Sequence, residues 1–263
     1  MSHDIRTPMN VILGYNQLMK SQLTEPKQLD YQKKIEQSGK LLLSIINNVL
    51  DMARIESGKI KVDENYERVG EVVDEIISTF ASEAEERGIH LSGSMKVTHR
   101  NILCDGTKIR EIYVNLVSNA IKYTPRGGNV TITVEELPCK REGYMKVKSE
   151  IKDTGIGMSK EYLPTLFEPF SREQNTTSRR IGGTGLGMPI VKKMVDLMGG
   201  SIEVASELGK GTVFTFTLMH KIADKKYYSQ RIEKVKTSSM RESLSGKHVL
   251  LAEDNDLNAE IAV

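Results

Sequence analysis

The sequence predicts an α+β chain, a helical hairpin followed by an α/β sandwich. Three observations predict it. Apolar residues in the first 55 or so positions step by 3 and 4, the seam of packed helices. From about Tyr66 the pattern changes to amphipathic helices interleaved with period-two strands. Glycine-rich turns punctuate this second part, at Asp153-Thr-Gly155-Ile-Gly157 and at Gly183-Thr184-Gly185-Leu186-Gly187.

Composition narrows the field first. A chain of 263 residues holds one large domain or two modest ones. The net charge of +2 is too small to argue for nucleic acid or a membrane surface. Two cysteines, Cys104 and Cys139, make neither a disulfide framework nor a metal cluster, so a reducing cytoplasm is the expected setting. No apolar run approaches the roughly 18 residues of a membrane helix, and no signal peptide is visible. The first helical pattern is under way within a few residues of Met1, and the element begun at His248 is never completed. The expectation is a fragment of a longer protein.

Ile5, Met9, Ile12, Met19 and Leu23 mark the first helix, with polar Asn16 in register. After Thr24-Glu-Pro26 a second helix carries Ile35, Ser38, Leu42, Ile45, Val49, Met52 and Ile55, and Ser57-Gly58 ends it. A two-helix hairpin cannot bury both faces alone. Leu41, Leu43, Ile46 and Leu50 widen the apolar stripe further, which predicts a homodimer forming a four-helix bundle. His3 falls off the seam, beside Asp4 and just before Pro8, which should bend the helix. An exposed imidazole beside a carboxylate suits nucleophilic chemistry, with Asp4 fixing the tautomer. An ordinary surface histidine and a tolerated first-turn proline fit the same residues.

In the second part, Val69 to Ala84 reads as an amphipathic helix, and Ile89 with Leu91 as a strand. Asp105 opens a helix with Ile109, Ile112, Leu116, Val117, Ala120 and Ile121 inside. Asn115 and Asn119 share one of its faces, and Lys122 and Tyr123 close it. Val130-Ile132-Val134 and Val147-Ser149-Ile151 alternate as two paired strands joined through Pro138–Gly143. Asp153 is expected just past the second of these. Ile202–Ala205 and Val213–Leu218 form another hairpin turning at Leu208–Gly211. The sheet is therefore mixed and mostly antiparallel, with helices on one face. Phe167-Glu-Pro-Phe170 and the polar run to Ile181 read as a lid, and a helix from Met188 to Met198 starts directly after the second glycine loop.

These pieces converge on a nucleotide. A carboxylate at a strand end, Asp153, can accept a hydrogen bond from the exocyclic amine of adenine; the bland reading is an Asp-x-Gly turn. Asn119 offers a neutral oxygen to Mg²⁺, which takes few protein ligands beside phosphates and water; the bland reading is a buried Asn bonded to backbone. Lys122 suits phosphate, or is a solvated helix end. Gly183, Gly185 and Gly187 lead into a helix N-terminus, which presents free N–H groups to phosphate. No G-x-x-x-x-G-K-[ST] is present, the glycines do not sit in a parallel βαβ unit, and His90, His99, His220 and His248 have no ligand spacing.

The order His3-Asp4-x-x-x-Pro8, Asn115-x-x-x-Asn119, Asp153-x-Gly155-x-Gly157, Phe167-x-x-Phe170 and Gly183-x-Gly185-x-Gly187 closely resembles the H, N, G1, F and G2 boxes of sensor histidine kinases, over roughly residues 1–220. The resemblance implies a dimerising hairpin (1–62) and a Bergerat-type ATP-binding domain (63–220). It implies His3 as phosphoacceptor, Asn119 as Mg²⁺ ligand with Asn115 as helper, and Lys122 and Tyr123 by the phosphates and adenosine. Asp153 would read adenine, and Gly183-Thr184-Gly185-Leu186-Gly187 would cradle the phosphates. Thr7 matches the position that orients water for dephosphorylating a partner. Val249-Leu-Leu-Ala-Glu253-Asp254-Asn255 resembles the first strand of a receiver domain (246–263), reached through a charged linker (221–245). The implied parent is a hybrid kinase passing phosphate from His3 to a receiver aspartate, in cis or in trans. Two rivals stand beside it: an ATPase of the same superfamily with a similar ATP site, and a non-catalytic dimer that binds nucleotide, or nothing, and transmits a signal by helix movement. The ATPase needs a carboxylate where this chain has Asn115, an amide that cannot act as a base.

Overall fold

The structure is a computed structural model and describes residues 10, 12–14, 16, 26–56, 61–173 and 185–223. These fall into two compact units, the helical residues up to Glu56 and the α/β residues from Lys61 onward.

In the helical unit, α1 runs from Pro26 to Glu56. Proline suits its first turn because that N–H has no intrahelical partner. Pairs Asp30–Lys34 and Glu36–Lys40 line its exposed side. Asn16 and Gln32 are buried, and each donates its amide to the other's backbone carbonyl, at 3.1 and 3.3 Å. Asn16 thus sits inward, as its place in the seam requires. Ile35, Leu42 and Val49, expected in a packed seam, are instead 46%, 45% and 44% exposed. They repeat every seven residues, so the apolar line faces away from the hairpin's own interior. Ile5, Met9, Met19, Leu23, His3, Asp4, Thr7 and Pro8 lie outside the described residues, as do the side chains of Leu41 and Ile55.

The α/β unit is a seven-stranded sheet in the order β1-β3-β7-β5-β4-β2, with β6 added on β7. The strands are β1 (Asn65–Arg68), β2 (His90–Lys96), β3 (Asn101–Cys104), β4 (Asn129–Leu137), β5 (Tyr144–Asp153), β6 (Ser201–Glu207) and β7 (Gly211–Ile222). All pairings are antiparallel except β2 with β4. Helices α2 (Val69–Arg87), α3 (Gly106–Tyr123) and α4 (Gly187–Leu197) complete the unit.

Strand alternation builds the core. Val130, Ile132 and Val134 of β4 stand opposite Asp153, Ile151 and Ser149 of β5. These stand opposite Thr212, Phe214 and Phe216 of β7. All nine are buried, so one sheet face is covered along its length. Ile112, Leu116, Val117 and Ile121 of α3 press against it with almost no exposure. Their spacing of 4, 1 and 4 is one helical stripe. Tyr113 adds a T-shaped contact to Phe216 and a 2.7 Å hydrogen bond to Ser149 Oγ, satisfying a polar pair inside the core.

Two strands escape the sequence pattern. Asn65–Arg68 and Asn101–Cys104 are four residues each and pair with one another, and neither shows a period-two alternation. A tertiary tie favours them: Arg110 of α3 reaches Glu67 with both guanidinium nitrogens and Glu75 through Nε at 2.7 Å. Asp153 also differs from expectation in detail, being the last residue of β5 rather than the first beyond it.

His220 lies on the buried face of β7 beside a cavity of about 30 Å³ lined also by Cys104, Tyr113 and Phe216. That volume holds a water or two. Burial penalises its charged form and pushes its pKa down to about 4. The unfolded chain binds a proton near pH 6.5 that the folded chain refuses, so stability is full above pH 6.5 and falls as the pH drops toward 4. The loss reaches about 3 kcal/mol at most. Thermal melts from pH 7 to 5.5 should show a falling Tm, and His220→Gln should flatten that slope.

Candidate nucleotide-binding site

The site grows from the end of β5. Sheet register puts Asp153 opposite Thr212. Asp153 Oδ1 accepts the backbone N–H of Gly155 at 2.8 Å and of Thr212 at 3.2 Å. The side chain is 6% exposed, and among the described residues Oδ2 has no hydrogen-bond partner. One oxygen is thus held by the loop after β5 and by β7, and the other is left without a hydrogen bond among the described residues. Burial pushes the Asp153 pKa up, and the two N–H donors oppose that in part.

The first glycine loop is wedged between neighbours. Ile156 donates its N–H to the Tyr123 carbonyl at the end of α3 and accepts from Gly209 N–H at 2.7 Å. Gly157 has φ +65° and lies so close to the Glu207 carbonyl that a Cβ would collide with it. Gly211 has φ +106° and meets the Asp153 carbonyl in the same way. Only glycine takes both the positive φ and the close approach. Met158 N–H then donates to Ser206 Oγ at 2.9 Å, and Ser206 Oγ lies 2.9 Å from Thr212 Oγ1.

α3 brings the polar side chains. Asp105 caps its start by accepting Lys108 N–H at 3.1 Å. Its last turns carry Asn119, Lys122 and Tyr123, all half-buried. Asn119 has no hydrogen bond among the described residues, so its amide is open to a ligand. Asn115 is engaged: its Nδ2 donates to the Glu111 carbonyl at 2.9 Å, and its Oδ1 would lie 2.9 Å from a Cβ at Gly187. It therefore joins α3 to the first residue of α4. Lys122 Nζ sits 5.1 Å from the Tyr123 ring centroid. Burial, then the charges of Arg172 and Arg87, lower its pKa.

The second glycine loop is described from Gly185 onward, and Gly183 and Thr184 lie outside the described residues. Gly185 has φ +71° and accepts the Phe170 N–H at 3.0 Å. The N-cap residue of α4, Leu186, offers no side-chain hydrogen bond to the helix start. Its first-turn N–H groups point out of the helix start with the positive end of the dipole. Phe170 itself has φ +63° and is 65% exposed. The rest of the expected lid, 174–181, is outside the described residues.

Asp153, Gly155, Gly157, Tyr123, Asn115, Gly187 and the start of α4 are thus brought together by direct contacts. His3, Asp4 and Thr7 are not among the described residues. Sequence reasoning missed Thr212, Ser206 and Arg172. The run Gly209-Lys-Gly-Thr212 passes for a plain hairpin turn, and only the register with Asp153 reveals its second task. Among the described residues no cluster of three His, Cys, Asp or Glu could hold a metal by itself.

The sequence and the fold are matched by known proteins. Residues 104–222 match the family of histidine kinase-, DNA gyrase B- and HSP90-like ATPases, and residues 1–58 match the His Kinase A (phospho-acceptor) domain. The chain is 35% identical over its whole length to the autoinducer 2 sensor kinase/phosphatase LuxQ of Vibrio cholerae, of which it spans 30%. Among solved structures, full-length ShkA in complex with AMPPNP is 30% identical with a TM-score of 0.70, covering 84% of this chain and 45% of that one. The histidine kinase ThkA in complex with the response regulator TrrA is 26% identical with a TM-score of 0.57, covering 83% and 59%. Helical phospho-acceptor part and ATPase-type sandwich occur here in one chain and in that order, and the chain belongs to the sensor histidine kinases of two-component signalling.

Proposed function

We propose that this chain transfers the γ-phosphoryl group of ATP to His3 and passes it on to an aspartate of a receiver domain. The observation that carries the nucleotide half is Asp153, with Oδ1 pinned by two N–H groups and Oδ2 left for the adenine amine. AMPPNP in the related ShkA structure supports ATP as the nucleotide. Asn119, the open amide on α3, is the residue that would hold Mg²⁺, with phosphate and water oxygens filling the other positions. The ion would supply charge neutralisation on the phosphates. Lys122 and the N-terminus of α4 would lie along the phosphate tail, with Gly183 and Thr184 completing that loop.

A neutral ring nitrogen of His3 attacks the γ-phosphorus in line. The N–P bond forms as the bond to the bridging oxygen of ADP breaks, and the imidazole loses its proton. Asp4 fixes the tautomer. The rest is positioning and electrostatics. Asn115 supports kinase over ATPase, because its amide cannot deprotonate water and is engaged with Glu111 and α4.

The exposed line Ile35, Leu42 and Val49 supports a homodimer, since a second copy would cover it as a four-helix bundle. The ThkA–TrrA complex supports a response regulator receiver as partner. The Val249–Asn255 run supports a parent that carries its own receiver. A cytoplasmic setting is favoured by free Cys104 and Cys139, and no helix among the described residues is long and apolar enough to cross a membrane. The kinase/phosphatase designation of LuxQ favours a second activity, dephosphorylation of the receiver with water oriented by Thr7.

Incubation with Mg²⁺ and γ-labelled ATP should give acid-labile, base-stable label on the protein, lost in His3→Gln and in Asn119→Ala. Label that survives His3→Gln would overturn the assignment of His3. Nucleotide affinity should also depend on pH through Asp153. Its raised pKa means protonation, and loss of the acceptor, at a higher pH than for an ordinary carboxylate. Titrations of ADP between pH 7.5 and 5 should show affinity falling in the wild type beyond the fall in Asp153→Asn, which retains only the titration of the phosphates.

A further inference from the structure

The carboxylate of Asp105 does more than cap α3. Its Oδ1 accepts the Lys108 N–H, which is all that capping requires. Its Oδ2 accepts the backbone N–H of Asp63 at 3.0 Å and also the Lys108 ammonium. That ammonium donates in turn to the Lys61 carbonyl at 3.1 Å. Asp105 and Lys108 side chains are only 5% and 16% exposed, unlike the surface pairs of α1. A desolvated pair of this kind holds its partners firmly, because removing one charge strands the other.

The segment it grips is otherwise loose. Lys61, Val62, Asp63 and Glu64 are all exposed and belong to no helix or strand. Apart from a 3.4 Å hydrogen bond from the neighbouring Asn65 side chain to the Asp63 carbonyl, the polar contacts to Asp105 and Lys108 are what ties this exposed segment to the rest of the domain among the described residues. This segment is the path from α1, which ends at Glu56, into β1 at Asn65. At the other end of the grip is α3, a packed rod of 18 residues, about 27 Å long at 1.5 Å per residue. Its far end carries Asn119, Lys122 and Tyr123. Chain exit from the helical unit and nucleotide-binding side chains are therefore fastened to one rigid element.

We propose that Asp105 and Lys108 are positioning residues for phosphoryl transfer, clasping the segment Lys61–Glu64 so that the tether between the phospho-acceptor helices and the ATP domain stays short. This rests on the reading of the chain as a His3 kinase. With the clasp closed, four residues of sequence (57–60) separate the end of α1 from the clasped segment; with it open, eight (57–64) separate it from β1, double the length. Effective concentration falls roughly as the −3/2 power of tether length, about threefold for a doubling. Loss of the fixed orientation adds to that.

The test is single-turnover labelling of His3 in the full chain as a function of ATP concentration, with nucleotide affinity by fluorescent ATP-analogue binding and Tm beside it. Lys108→Met and, from the other side of the clasp, Asp63→Pro should each lower the saturating rate about three- to tenfold. Nucleotide Kd and the ATP concentration for half-maximal rate should stay unchanged. Lys108→Arg, which keeps the charge, should recover part of the rate. Saturating rates equal to wild type in both clasp variants would overturn the proposal. So would a loss of rate that follows a matching loss of nucleotide affinity, since that is what a mere helix cap would do. Wild-type chain that binds nucleotide but leaves His3 unlabelled would instead refute the kinase reading, and the positioning role with it.

Discussion

The structure depends most on the pinning of one carboxylate. Asp153 lies in the buried face of the sheet, where an ionised group with no partner would be strongly disfavoured. It is kept there by two N–H donors on a single oxygen, Gly155 in the loop after β5 and Thr212 in β7. That arrangement exists only if β5 and β7 are in register, if Gly211 takes a positive φ, and if Gly157 lets the Glu207 carbonyl approach. A slip of one residue would turn every core side chain outward as well. Site and core are therefore specified by the same pairing, and site formation is a test of correct folding.

The second constraint is α3. One helix covers the middle of the sheet with Ile112, Leu116, Val117 and Ile121. The same helix meets the first glycine loop through the Tyr123 carbonyl and the start of α4 through Asn115. At its N-terminus Asp105 and Lys108 take hold of the incoming chain. The apolar face of the helix thus covers the core, while its polar side meets the glycine loop, α4 and the incoming chain. Arg110, held by Glu67 and Glu75, fastens the same helix to β1 and α2.

Much of this was legible in the sequence because strong periodicity and packing agree. The alternation of Val130-Ile132-Val134 and the stripe of α3 named their elements and inward faces. Gly157 and Gly185 of the two loops mark backbone conformations that only glycine takes readily. What stayed hidden depended on partners far along the chain. β1 and β3 are too short to show a period, and exist because β3 pairs with β7 on one side and carries β1 on the other. Thr212 looked like a turn residue until register placed it beside Asp153. The line Ile35, Leu42, Val49 was correctly apolar, but spacing alone does not say which partner covers it. Asp105 was read as a helix start, while its hold on Asp63 spans 42 residues and leaves no local trace.

The account's central claim is that Asp153 reads the exocyclic amine of adenine. The most direct measurement compares binding of ATP and of inosine triphosphate, which carries an oxygen in place of that amine, by calorimetric titration. The account predicts that wild type prefers ATP by roughly 10- to 100-fold, the worth of one buried hydrogen bond to a charged group. It also predicts that Asp153→Ala binds both weakly and without preference. Equal affinity of wild type for the two nucleotides, or a preference for ATP that survives Asp153→Ala, would contradict it.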